Sequence, residues 1–166
     1  MTKNELAINN WVRHRDQGEK PYRITSITID GDKYLYTAEG LEAGDTYIDA
    51  RAAAFEPIAI TEEILKMCGY IQMVDPNNPE RVLSEKFFSI DPGGAIIESS
   101  IRGYFNISMS GSGGQSSFLT KRVKYLHELQ NLCKAFDGTI VNVDWSLIEK
   151  EQSETDSNVD EGEPMW

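Results

Sequence analysis

Two histidines and two cysteines are the whole stock of imidazole and thiol ligands in these 166 residues. His14, Cys68, His127 and Cys133 come from four separated places, with no short ligand pair to nucleate a zinc site, so neither a metal nor a cofactor is expected. Nor do the two cysteines form a spaced framework, and they read as reduced core thiols. No run approaches the ~20 apolar residues that span a bilayer. The opening MTKNELAINNW lacks the basic start and apolar stretch of a signal peptide. A cytoplasmic protein without a membrane partner is the expectation.

Positive charge is also scarce. Sixteen Lys and Arg face 27 Asp and Glu, for a net charge of −11. From Glu149 to Trp166 seven acids face Lys150 alone, which leaves the preceding body with 20 acids and 15 bases, or −5. A body of that sign repels phosphate on average, which disfavours broad duplex binding unless its bases gather on one surface.

What is present reads as a single α+β domain over residues 1–148, long enough to bury roughly 70% of its unfolded surface. Residues 6–60 are β-rich. Positions 22–29 are dominated by β-branched and aromatic types, and Asp30-Gly31-Asp32 turns the chain into Lys33-Tyr34-Leu35-Tyr36-Thr37, predicting a hairpin. Residues 6–13, Tyr47-Ile48 and residues 55–60 supply further strands, about five in all, as in a small bent sheet or barrel. Thr61 then caps a short helix whose first turn carries Glu62 and Glu63 and which ends at Gly69. Residues 75–79 read as a loop. Residues 87–90, 95–100 and 103–108 read as antiparallel strands, the first two joined by the turn Asp91-Pro92-Gly93-Gly94.

One long amphipathic helix is predicted over residues 121–138, KRVKYLHELQNLCKAFDG. At 100° per residue, Tyr125, Leu126, Leu129, Leu132, Cys133 and Phe136 share an apolar face, opposite Lys124, His127, Asn131 and Lys134. Gly138 supplies a left-handed end, and residues 139–143 suggest a last strand. From Glu149 the composition is too polar and acidic to repay ordering, so residues 149–166 read as a disordered acidic tail, ending in the apolar pair Met165-Trp166.

Few side chains point to chemistry. His127, Gln130 and Asn131, at i, i+3 and i+4, form a polar ridge that suits a ligand, a base edge or a neighbouring loop, but no carboxylate or nucleophile accompanies the imidazole. The glycine- and serine-rich residues 111–117 lack the lysine and hydroxyl of a P-loop and read as a surface loop. Ser112 is not in a G-x-S-x-G elbow, because position 110 is Ser. Tyr22, Tyr34, Tyr36 and Tyr47 suit either stacking platforms for single strands or ordinary packing. No catalytic residue is assigned.

Three passages carry a resemblance. Ile8-Asn9-Asn10-Trp11-Val12, the run from Ile58 through Thr61-Glu62-Glu63-Ile64-Leu65 to Cys68-Gly69-Tyr70, and Val123 to Leu132 resemble a family of small uncharacterised proteins from phages and prophages of Bacteroides-type bacteria. Asn9 stands where that family usually carries glycine. The resemblance implies a phage or prophage setting inside a bacterial host cell and carries over no functional residue. The resulting expectation is a non-enzymatic accessory protein that binds a macromolecular partner, host-directed, anti-defence, or a virion or replication component. Met165 and Trp166 would anchor a protein partner. The alternative is a single-stranded nucleic-acid-binding module with a regulatory acidic tail.

Overall fold

The computed structural model describes residues 5–89, 95–99, 103–110 and 118–147. Its strands are antiparallel and fall into two five-stranded sheets, accompanied by two α-helices, so the α+β reading holds at that level.

The first sheet comprises β1 (Trp11–His14), β2 (Pro21–Asp30), β3 (Lys33–Gly40), β4 (Thr46–Arg51) and β5 (Phe55–Pro57), in the order β4-β3-β2-β1-β5. The predicted hairpin is present, with Asp30 opposite Lys33 and Gly31 at φ +61 in the first turn position, a glycine-first turn that follows the twist of the strands. Register shifts at Ile24/Ser26 and Tyr36/Ala38 bend the sheet, and Asp49 takes φ +57 beside the second. Tyr22, Ile24, Tyr36 and Phe55 fill its core, together with Leu6 and Val12.

After β5, α1 (Glu62–Met67) begins as its first residues dictate, since the Thr61 hydroxyl accepts the Ile64 N–H at 3.2 Å. The second sheet is a plain meander of β6 (Tyr70–Asp75), β7 (Asn78–Ser89), β8 (Ile96–Ser99), β9 (Phe105–Ser110) and β10 (Phe118–Val123). Its inner face buries Tyr70, Phe87, Ile97, Ile107 and Val123 against α1 and α2 (Leu126–Asp137).

The two sheets meet along β1 and at the start of α2. Successive strand residues point to opposite faces, so Val12 enters the first core while Trp11 enters the second, where it meets Trp145 edge-on with ring centroids 5.4 Å apart. The Ile60 N–H donates to the Lys124 carbonyl at 3.0 Å, and the Leu126 N–H donates to that of Ile58 at 2.9 Å.

Several expectations are corrected. The first strand starts at Trp11, because residues 6–10 form an irregular segment held by hydrogen bonds between Asn10 and Ala7. Residues 75–79 are a tight hairpin turn between β6 and β7, with Asp75 opposite Asn78. Pro79 is tolerated inside β7 because β8 pairs with that strand only over Lys86, Phe87 and Phe88, leaving its beginning with one neighbour. The predicted long helix starts five residues late: Lys121, Arg122 and Val123 pair in β10 with Ile107, Asn106 and Phe105. Residues 139–143 form no strand. The turn at residues 91–94, the loop at 111–117 and the acidic tail with Met165 and Trp166 lie outside the described residues.

Candidate functional site

Helix α2 is set by its ends. The Glu128 carboxylate turns back to accept the N–H groups of Lys124 at 2.8 Å and Tyr125 at 3.0 Å, and Gly138 closes the helix at φ +81. Leu126, Leu129, Leu132 and Cys133 are buried as the periodicity requires.

The polar ridge is not solvated. His127 and Gln130 are only 3% and 5% exposed, because residues 5–11 and the chain after α2 cover the side of the helix that the sheet leaves open. The buried arc therefore spans roughly two thirds of the helix circumference rather than one apolar stripe. Gln130 uses both ends of its amide: its oxygen accepts the Trp11 N–H at 3.0 Å, and its nitrogen donates to the carbonyls of Val141 at 3.0 Å and Asn9 at 3.2 Å. Asn131 accepts from the Asn10 side chain at 2.9 Å and donates to the Glu5 carbonyl at 2.8 Å. These two residues clasp the N-terminal segment, where Asn9 takes φ +75, a left-handed conformation that asparagine tolerates better than most side chains.

His127 differs from its two neighbours. Its ring lies parallel to that of Tyr125, with centroids 5.9 Å apart, and its Nδ1 is buried without a hydrogen-bond partner. It lines a cavity of about 290 Å³ with Glu5, Lys121, Glu128, Asn131, Leu132 and Ala135. Burial lowers its pKa below the ordinary histidine range, against the opposing pull of the Glu128 and Glu5 carboxylates, so the ring is neutral at pH 7.

The other candidates separate. His14 stacks on Tyr47 in the first sheet, with centroids 3.7 Å apart, whereas Cys133 belongs to the core of the second. Among the described residues no three His, Cys, Asp or Glu side chains gather as metal ligands. Neither thiol is in a disulfide. Burial, with Cys133 nearby, pushes the Cys68 thiol up to about 12, and Cys133 lies 3.8 Å from the Tyr70 hydroxyl. Of the two readings of the tyrosines, packing holds for Tyr22 and Tyr36. Tyr22 and Tyr36 are fully buried, and the Tyr22 phenol, raised by burial and by its 2.7 Å hydrogen bond to Asp45, belongs to the core.

A surface that sequence reasoning missed is the outer face of the second sheet, the side away from both helices. Ile71 and Ile96 lie there on either side of the same β7 position and are 53% and 37% exposed. Lys86 pairs with Glu98 at 2.7 Å, and Tyr104 packs beneath Arg122 and Lys124. Strand alternation was the signal that could have found it, once Ile97 and Phe87 were assigned inward. Among the described residues no helix is long and apolar enough to cross a membrane. No protein-family model, curated protein or solved structure matches this chain.

Proposed function

We propose that this chain is a non-enzymatic binding protein, an accessory factor in a phage or prophage setting, and that it meets a macromolecular partner through the outer face of its second sheet. The observation that carries this reading is the exposed pair Ile71 and Ile96, separated by two strand spacings, or about 10 Å, on a face that neither helix covers. The polar ridge supports it from the other side. The amides of Gln130 and Asn131, the best candidates for ligand chemistry in the sequence, are spent on backbone and side-chain groups of the fold. The phage setting rests on the sequence resemblance, and Asn9 at φ +75 suits a position where that family carries glycine.

A photo-crosslinking side chain placed at Ser108, opposite Ile96 on the outer face, tests the surface in expressing cells. A discrete adduct from position 108 and none from Lys33, at the far hairpin turn, is the expected outcome. Equal patterns from both positions would overturn the proposal. In the same reading the acidic tail and its Met165-Trp166 tip provide a second anchor, so a chain ending at Leu147 keeps its melting temperature within a degree or two but gives a weaker adduct. The single-stranded nucleic-acid alternative is favoured by Arg122 on β10 and Lys124 directly after it.

A further inference from the structure

Residues 99–127 contain no Asp or Glu, although 27 acids are spread through the chain. The same 29 residues hold Arg102, Lys121, Arg122 and Lys124. They supply both β9 and β10, so a chain of net charge −11 builds one side of its second sheet from strands without an acid. On the outer face the nearest acid in register is Glu98, two strands in from β10, and Lys86 neutralises it at 2.7 Å. Among the described residues neither Arg122 nor Lys124 has a carboxylate within ion-pair distance, while Lys121, in register with buried Ile107, turns to the helix side and lines the His127 cavity with Glu5 and Glu128.

Arg122 and Lys124 are held by rings instead. The Arg122 guanidinium and the Lys124 ammonium each lie 5.8 Å from the centre of the Tyr104 ring, and Lys124 lies 5.3 Å from that of Tyr125. Tyr104 remains 36% exposed. The arrangement sets two like charges on and just after the outer strand of a sheet and orients them over aromatic faces, with no carboxylate of the described residues within ion-pair distance. A small anion would use the charge but not the rings, and an apolar protein surface would have to desolvate the charge.

We infer that the β9–β10 side of this face binds single-stranded nucleic acid, with Arg122 and Lys124 meeting successive phosphates and Tyr104 stacking an unpaired base. The inference rests on the outer face being a partner surface and names the class of partner. Duplex is disfavoured because its bases are already stacked and the body, at −5 with these bases included, repels a second strand.

Fluorescence anisotropy of the full chain with labelled oligo(dT) and oligo(rU) of about 20 nucleotides, a matching duplex, and unlabelled polyphosphate as competitor tests this. Both single strands are expected to bind, with a log–log salt slope of about −1.4 for two phosphates neutralised. A preference between them identifies DNA or RNA as the source. Arg122→Glu/Lys124→Glu should lose at least about tenfold, and Tyr104→Ala about tenfold, while Tyr104→Phe stays within about twofold. Lys33→Glu makes the same change per residue at the far turn and should have little effect. Thermal melts check folding, and Arg122→Gln serves if the double variant is unfolded. No single-strand binding, or binding unchanged in Arg122→Gln and Tyr104→Ala, would overturn the inference, as would displacement by polyphosphate together with an inert Tyr104→Ala. If oligonucleotides fail while crosslinks from position 108 persist, only this inference falls and the partner surface stands.

Discussion

Gln130 accepts the Trp11 amide at 3.0 Å across 119 positions of sequence, and the same side chain holds the carbonyls of Asn9 and Val141. One buried amide thus fastens the first strand, the segment before it and the chain after α2 to a single point on the helix. Gln130→Ala strands three backbone groups, each costing about 1–3 kcal/mol when buried without a partner, so a loss of about 3 kcal/mol or more is predicted from urea melts. Asn131→Ala, at a half-buried site, should cost about 1 kcal/mol. Equal losses would contradict the clasp.

The apolar face of α2 gives a second contrast. Leu129 is fully buried, and Leu129→Ala should cost about 2–5 kcal/mol. Lys134 is exposed on the same helix, and Lys134→Ala should stay within about 0.5 kcal/mol.

His127 makes stability depend on pH. Its folded pKa lies below the unfolded value of 6.5, so the unfolded chain takes up the proton first. The neutral ring's contribution is fully present above about pH 6.5 and is lost as pH falls through the folded pKa. Glu128 and Glu5 oppose the shift and limit its size, and Lys121 lines the same cavity. His127→Phe keeps a ring beside Tyr125 and removes the unpartnered Nδ1. It should therefore be within about 1 kcal/mol of the parent at pH 7 and show a flatter melting profile between about pH 7 and pH 5.5. An unchanged profile would place the titration elsewhere.

In the first sheet, a Cβ added at Gly40 would stand 2.7 Å from Asp45 Oδ2, the same oxygen that accepts the Tyr22 hydroxyl at 2.7 Å. Gly40→Ala should cost about 1–3 kcal/mol by displacing that carboxylate. Tyr22→Phe should then cost less in the Gly40→Ala background than alone, which a double-mutant cycle measures.

The parts of this fold legible in the sequence are those governed by local chemistry. Asp30-Gly31-Asp32, Thr61 and Gly138 each act within four residues, and each does in the structure what its side chain or its lack of one implies. Elements that depend on distant partners were not legible. Residues 121–123 continue a helical pattern until β9 is available to pair with them, and Pro79 argues for a loop until the short reach of β8 is known. Gln130 and Asn131 read as a polar ridge that suits a ligand or a neighbouring loop, and only the fold supplies that loop, from residues 5–11 and the chain near Val141. The basic, acid-free edge could have been counted from the sequence, but only the strand register brings Arg122 and Lys124 over Tyr104.

Amide hydrogen exchange of the full chain, with and without saturating single-stranded oligonucleotide, tests the outer-face assignment most directly. The predicted result is slower exchange in Phe105–Ser110 and Phe118–Val123, most marked in the outer strand β10, with β3 and β4 unchanged. Protection confined to β3 and β4, or none anywhere, would contradict it.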